Sequence, residues 1–179
     1  RTGYNELCKI IKSLSKNSFA DYNTTTQRML QIPVCYDEPY ALDFAELTEQ
    51  IKLPKKEIIT LHTKTKFRVY MLGFMPGFAY MGKLPEPLFC SRKSDPRLNI
   101  PAGSLGLAGL QTGIYPDKSP GGWQIIGRTP IPVFNLQKKQ PFLFKAGDSV
   151  CFEAISSSSF LKIQKDISSN HFNWENIYG

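Results

Sequence analysis

The sequence predicts a mainly β protein with an N-terminal part that combines helices and a strand, followed by a closed or nearly closed β-barrel. Two observations carry this prediction. Before about residue 66, apolar side chains recur with the spacing of amphipathic helices. After Gly73 that spacing disappears, and short extended stretches alternate with turns rich in glycine and proline. Many short strands separated by such turns are typical of a barrel.

Three helices are predicted before residue 66. The first follows Asn5, and its apolar residues have the spacing of a surface helix: Leu7, Ile10, Ile11 and Leu14. Asp43 and Glu46 resemble a capping pair for the second helix. Pro54 suits the first turn of the third. Between the first and second helices, the polar run 15–26 predicts a loop and residues 29–35 predict an extended segment.

The predicted barrel strands are short. Residues 66–72 alternate, with Phe67, Val69 and Met71 on one face of the strand and polar residues on the other. The remaining predicted strands are 104–108, 111–115, 123–127, 131–134 and 149–155. A polar break at 156–159 and a short helix at 160–166 are expected to follow them.

Residues 73–130 contain the feature that points to a functional site. Ten of the 13 glycines and eight of the 13 prolines lie there. Five aromatic residues are interleaved with them: Phe74, Phe78, Tyr80, Tyr115 and Trp123. Glycine permits positive φ and close backbone approach, whereas proline fixes φ. Loops shaped in this way on a rigid scaffold commonly carry binding or catalytic residues.

Composition and charge argue against several classes of protein. The net charge is +7, but the lysines are scattered, which favours a solvated surface over a nucleic-acid interface. No apolar run approaches the roughly 20 residues that span a bilayer. Four widely spaced cysteines without a C-x-x-C pair, and only two histidines, argue against a metal site and favour reduced thiols. The sequence therefore predicts a cytoplasmic protein without a metal, a membrane partner or a nucleic-acid partner.

Several segments, in a fixed order, resemble one known family. They are Ile32–Tyr36, Val69–Tyr80, Pro96–Arg97, Pro101–Ser104, Gln111–Pro116 and Ser119–Pro130. Together they resemble the family of the 5-oxoprolinase B subunit (PxpB), which is also called allophanate hydrolase subunit 1 and includes the kinase inhibitor KipI. The likeness runs from about Ile32 to Ile155. Ala79 and Met81 depart from the family pattern, but both changes are conservative in volume or lie at a loop.

The resemblance implies a fold and a division into domains. Members of this family combine an N-terminal α/β domain with a cyclophilin-like β-barrel. Residues 1–27 are therefore expected to be the C-terminal remnant of the first domain, whose opening strands are missing. Residues 28–160 are expected to form the barrel, and residues 161–179 a C-terminal tail.

The resemblance also implies an activity and partners. Together with an A subunit and a C subunit, the chain is expected to open 5-oxoproline to glutamate using ATP. The sequence has no G-x-x-x-x-G-K-[ST] loop, so ATP is expected to be bound in another geometry or mainly by a partner subunit. Two alternatives stay open: an inhibitor of a sensor histidine kinase, and a subunit of an allophanate hydrolase-type amide hydrolase.

Opening a lactam by phosphorylation requires positive charge near the phosphate and the substrate carboxylate. Arg97 and Arg128 lie in or beside the motif loops, and Gln111 offers a neutral hydrogen-bonding group. These three are the candidate catalytic residues. Because arginine can hold a carboxylate or phosphate in a bidentate fork, either arginine suits the role. A structural bond to loop carbonyls is the alternative for each.

The candidate ligand-binding residues are Tyr115, Gly121, Gly122, Trp123, Thr112 and His62. The threonine and tyrosine are candidates to recognise a substrate amide, and the glycines to admit an anion to backbone N–H groups. A polar barrel rim, a core tryptophan and a buried, satisfied histidine are the structural alternatives. The candidate partner surface consists of Phe74, Pro76, Phe78 and Tyr80, because aromatic residues are enriched at interfaces. A folded loop core is its alternative.

Overall fold

A closed β-barrel of seven strands lies at the centre of the computed structural model, which describes residues 3–16 and 28–179. The described residues form nine strands, of which all but β4 and β7 belong to the barrel: β1 (Met29–Cys35), β2 (Phe67–Leu72), β3 (Ala79–Gly82), β4 (Arg97–Ile100), β5 (Ser104–Ala108), β6 (Gln111–Ile114), β7 (Ser119–Gly121), β8 (Gln124–Arg128) and β9 (Ser149–Ile155). The helices are α1 (Tyr4–Lys16), α2 (Phe44–Ile51), α3 (Lys55–Lys64) and α4 (Ser157–Ser168). Two short 3-10 helices span Glu86–Leu88 and Trp174–Ile177.

The barrel strands follow the order β1-β8-β5-β6-β3-β2-β9, and β9 pairs again with β1. The β1–β9 pair is parallel, whereas the other neighbours in the barrel are antiparallel. The strands β4 and β7 form a separate two-stranded ribbon. Along β1 and β9, alternate side chains point into the barrel, as the period of a strand requires: Leu30, Ile32, Val34, Val150 and Phe152.

The interior of the barrel is the main hydrophobic core, and α2 and α3 contribute to it through Phe44, Leu47 and Ile58. A second, smaller core joins Phe78, Ile100, Ala108, Tyr115, Trp123 and Ile125. Every residue of β5 is buried. This strand is therefore covered on both faces, by the barrel interior on one and by the second core on the other.

The mainly β architecture and the closed barrel confirm the predicted fold class, but several local predictions are wrong. A β-bulge between Val69 and Met71 shifts the strand register, so Met71 is exposed instead of sharing the buried face. Residues 131–134 form no strand and contribute only an isolated bridge to Phe142. The Asp43 side chain makes no capping hydrogen bond to α2, because it is bound elsewhere.

The C-terminal segment is more ordered than its sequence pattern suggests. Ser156, in the predicted polar break, is the N-cap of α4 and accepts a hydrogen bond from the backbone N–H of Ser159 at 3.2 Å. Tyr178 forms a β-bridge with Leu30. Helix α4 crosses the predicted boundary at residues 160–161, and the domain limits stay predictions. Most of the predicted loop at 15–26 lies outside the described residues.

Candidate functional site

The predicted catalytic and ligand-binding residues do not converge on one place within this chain. Arg128 ends β8, whereas Trp123 immediately precedes that strand, so about 16 Å of extended chain separates them. Gln111 pairs with Ala108 at one end of β5, and Arg128 pairs with Ser104 at the other. The candidate residues therefore have to be considered in separate groups.

An aromatic cluster on the outer face of the barrel brings together five predicted residues: Phe74, Phe78, Tyr80, Tyr115 and Trp123. The ring of Phe78 is central, with centroid distances of 4.9 Å to Tyr80, 5.3 Å to Tyr115 and 5.4 Å to Trp123. The rings meet edge to face, the arrangement that aromatic quadrupoles favour. Two candidate binding residues, Tyr115 and Trp123, thus pack together with three residues of the candidate partner surface.

Two strand glycines let this aromatic cluster lie directly on the barrel. A Cβ atom on Gly113 would lie 3.0 Å from Cζ of Phe78, and one on Gly106 would lie 3.0 Å from Cβ of Trp123. Glycine within a strand often marks such a close approach. Packing of the rings therefore accounts for part of the glycine content between residues 73 and 130.

Gly121 and Gly122 have different surroundings. A Cβ on Gly121 would overlap the hydroxyl oxygen of Tyr115 and lie 2.8 Å from Cδ1 of Ile100. A Cβ on Gly122 would meet nothing closer than 3.6 Å. Burial raises the pKa of Tyr115 to about 12 despite a backbone hydrogen bond from Trp123 that lowers it, so this hydroxyl is neutral at physiological pH.

A buried carboxylate ties the ribbon to the barrel; we call Asp43, Lys93 and Arg97 the Asp43 clamp. Oδ1 of Asp43 accepts a hydrogen bond from Nη2 of Arg97 at 2.6 Å and lies 3.2 Å from Nζ of Lys93. Oδ2 accepts from the backbone N–H of Ile125 at 2.9 Å. Lys93 also pairs with Glu46.

The Asp43 clamp keeps its carboxylate charged. Burial alone would raise the pKa of Asp43, but hydrogen bonds from Arg97, Ile125 and Lys93 outweigh it and lower the pKa below the ordinary 3.8. The clamp joins the start of α2 to β4 and β8. The guanidinium of Arg97 therefore has a structural partner, although its side chain is still 36% exposed.

Arg128 has a different environment. Its Nε donates to the carbonyl oxygen of Ala102 at 2.7 Å, the kind of loop-carbonyl bond foreseen as its structural alternative. Its side chain is half-buried, and burial lowers its pKa. Within the described part of the chain, no carboxylate pairs with Arg128 and its two terminal nitrogens make no hydrogen bond. The two Nη atoms of the Arg128 guanidinium therefore remain available to bind an anion.

His62 and Thr112 lie in the barrel interior, away from the aromatic cluster. Thr112 donates its hydroxyl to the carbonyl oxygen of Gly106 at 3.2 Å, so its oxygen accepts from Nε2 of His62, which lies 3.2 Å away. Nδ1 of His62 consequently accepts from the hydroxyl of Tyr36 at 3.0 Å. The imidazole is fully buried, and burial lowers its pKa to about 3. This is the buried, satisfied histidine described above as the structural alternative.

The exposed apolar surface differs from the predicted partner surface. Phe74 is 63% exposed and Pro76 is exposed, but Phe78 is buried and Tyr80 is half-buried. Three residues just before them in the chain, which the sequence did not suggest, are also exposed: Tyr70, Met71 and Leu72. We call Tyr70, Met71, Leu72, Phe74 and Pro76 the exposed patch.

Sequence reasoning missed two residues of the Asp43 clamp. Asp43 had the signal of a helix cap, and Lys93 lies in a short charged stretch without a motif. Among residues 3–16 and 28–179, no group of three or more His, Cys, Asp or Glu side chains is arranged to hold a metal. None of the helices in those ranges is both long enough and apolar enough to cross a membrane.

Three similarities relate the chain to known proteins. It is 46% identical over 140 residues to the 5-oxoprolinase B subunit of Bacillus subtilis (strain 168), covering 78% of this chain and 58% of that protein. A conserved uncharacterized protein from Pyrococcus horikoshii has a similar structure, with a TM-score of 0.71 at 35% identity, covering 89% of this chain and 72% of that one. The Kluyveromyces lactis urea carboxylase shares the fold, with a TM-score of 0.72 at 18% identity, covering 95% and 18% of the two chains.

The chain spans a little over half the length of the curated relative that it matches. The family model for the carboxyltransferase domain, subdomain C and D, matches residues 1–144. That match covers most of the 179 residues, and the chain therefore belongs to the carboxyltransferase domain family, subdomain C and D.

Proposed function

We propose that this chain is part of the B subunit of an ATP-dependent 5-oxoprolinase, which opens 5-oxoproline to glutamate together with an A and a C subunit. The observation that carries this proposal is the 46% identity to the 5-oxoprolinase B subunit of Bacillus subtilis. The distribution of candidate residues supports a subunit that does not act alone. Phosphoryl transfer requires positive charge at one place, but the two candidate arginines lie apart: Arg97 is in the Asp43 clamp and Arg128 is at the end of β8.

Arg128 is the arginine that we assign to anion binding. Its terminal nitrogens make no hydrogen bond to the described residues, whereas Arg97 is held by the carboxylate of Asp43. An anion that binds Arg97 would have to compete with the buried carboxylate of Asp43. This competition would reduce the free energy of anion binding. Arg128 can accept a phosphate or carboxylate without losing an existing ion pair. In this proposal Arg97 orients the ribbon, and ATP is bound mainly by a partner subunit.

Reconstitution tests the proposed activity. The protein carrying this chain would be mixed with an A and a C subunit, and ATP hydrolysis that depends on 5-oxoproline would be measured together with glutamate formation. We expect no activity without the partners and formation of glutamate with all three. Controls omit each subunit, or 5-oxoproline, in turn. A complete mixture that hydrolyses ATP at the same rate with and without 5-oxoproline would refute the proposal.

The exposed patch is the proposed docking surface for the C subunit. Exposed aromatic and methionine side chains in one patch are typical of interfaces. Phe74→Ser is expected to weaken co-purification with the C subunit, whereas Phe89→Ser, at another exposed phenylalanine, is expected to leave it unchanged. The alternative of histidine kinase inhibition predicts instead that the chain binds a kinase dimerisation domain and blocks autophosphorylation.

A further inference from the structure

A second potential binding site lies on the opposite side of β1 from the barrel interior. An open groove of about 480 Å³ is lined by α4, the outer faces of β1 and β9, and the C-terminal segment. This volume falls within the range of small-molecule sites, roughly 300–1,000 Å³. Its walls include apolar side chains from all of these elements: Pro33, Ile155, Ile163, Phe172 and Ile177. An apolar surface of this kind suits a hydrocarbon side chain.

Charged groups of both signs line the same groove. Helix α4 contributes Lys162 and Asp166, and β9 contributes Glu153. Glu153 accepts one hydrogen bond, from Nε2 of Gln31 to Oε2 at 3.2 Å. Within the described ranges, Lys162 and the carboxylate of Asp166 have neither a salt bridge nor a side-chain hydrogen bond. The groove therefore offers an ammonium and carboxylate oxygens that are not engaged by each other.

The order of Lys162 and Asp166 along α4 does not favour an ion pair between them. They are four residues apart and share one face of α4. A lysine that precedes its acidic partner along the helix is in the poorer orientation for an i, i+4 pair. The rise of the helix places the two Cα atoms about 6 Å apart along its axis. Each group can thus reach a different end of one small ligand.

We propose that this groove binds a free α-amino acid with an apolar side chain. Lys162 holds the carboxylate of the ligand, Asp166 and Glu153 hold its ammonium group, and the apolar wall receives its side chain. Charge-assisted hydrogen bonds of this type are the strong ones in proteins. Binding at this groove is independent of the proposed enzymatic function, and it is measured without any catalytic activity.

Calorimetric titration with L-leucine and three matched compounds tests the ligand class. 4-Methylpentanoic acid lacks the ammonium group, 3-methylbutylamine lacks the carboxylate, and L-glutamate replaces the apolar side chain with a charged one. We expect leucine to bind and each of the other three to bind at least about tenfold more weakly, because each loses one charged or apolar contact. Equal binding of the amine and leucine, or no binding of leucine at millimolar concentration, would overturn the proposal.

Substitutions on α4 test the location. Lys162→Met and Asp166→Asn are expected to weaken leucine binding about tenfold or more. Lys165→Met is the matched control, because Lys165 lies on the same exposed helix but does not line the groove, and its affinity is expected to equal that of the wild type. Circular dichroism verifies that each variant is folded. Unchanged affinity in folded Lys162→Met would place the ligand elsewhere and refute the assignment.

Discussion

The buried imidazole of His62 makes the stability of the barrel dependent on pH. Its two ring nitrogens are both used, one as acceptor from Tyr36 and one as donor to Thr112. The rings of Phe67 and Phe152 lie 5.0 and 4.7 Å from it. A proton on Nδ1 would face the hydroxyl hydrogen of Tyr36 in an apolar environment. The folded protein therefore disfavours the charged form.

The magnitude follows from proton linkage. The pKa of His62 is about 3 in the folded protein and 6.5 when unperturbed, so between these values the unfolded chain binds the extra proton. The contribution of His62 to the free energy of unfolding is fully present well above pH 6.5. It falls as the pH decreases from 6.5 towards 3 and is constant below pH 3. Between pH 7.5 and pH 5 the loss is about 2 kcal/mol, at 1.36 kcal/mol per pH unit below the unfolded pKa.

Urea unfolding of the wild type and His62→Gln at pH 7.5 and pH 5 isolates this contribution. The substitution removes the titration, and other groups contribute equally to both proteins. The variant is expected to be less stable at pH 7.5, and the difference between the two proteins is expected to shrink by about 2 kcal/mol at pH 5. Ile58→Val, a buried change in the same helix, should keep a constant difference of about 1 kcal/mol. Parallel pH curves for the wild type and His62→Gln would refute the reasoning.

Three further substitutions test the Asp43 clamp, the close packing at Gly121 and the proposed anion site at Arg128. Asp43→Asn is expected to cost about 3 kcal/mol in urea unfolding, because two cations lose a buried counter-charge, whereas exposed Asp95→Asn should cost less than about 0.5 kcal/mol. Gly121→Ala is expected to destabilise by about 1–3 kcal/mol through overpacking, measured against Gly122→Ala, which has room for a methyl group. Arg128→Met should lower the activity of the reconstituted complex by roughly tenfold or more, and the lost hydrogen bond to Ala102 should cost about 1 kcal/mol in unfolding. An inactive but equally stable Asp43→Asn would contradict the structural role of the clamp.

The sequence predicted the fold class because its signals are local. Amphipathic spacing locates α2 and α3. The sequence could not show the bulge after Val69, because a bulge depends on how β2 pairs with its neighbour β3, which the sequence of β2 alone does not specify. It also did not indicate β4 and β7, which are three or four residues long.

The candidate site was less predictable, because its geometry depends on long-range contacts. The carboxylate of Asp43 bonds to Arg97 and Ile125, which are 54 and 82 positions away in the chain. The local sequence predicts that Asp43 caps a helix, whereas its hydrogen bonds in the structure come from the guanidinium of Arg97 and a backbone N–H of β8. For the same reason the sequence predicts that Thr112 recognises a substrate amide. In the structure its side chain points inward to His62.

Side-chain packing accounts for Gly121 but not for Gly122, the two glycines that precede Trp123. Packing explains Gly121, since a side chain there would overlap Tyr115. It does not explain Gly122, where a Cβ would meet only ordinary contacts and where the carbonyl oxygen already accepts from the N–H of Lys93 at 2.7 Å. If a ligand or a partner subunit approaches this backbone, then Gly122→Leu should lower the activity of the reconstituted complex by about tenfold or more, while Gly122→Ala keeps the wild-type unfolding midpoint. Full activity of a folded Gly122→Leu variant would show that nothing approaches the turn there, and Gly121 and Gly122 would lose their proposed role in anion binding.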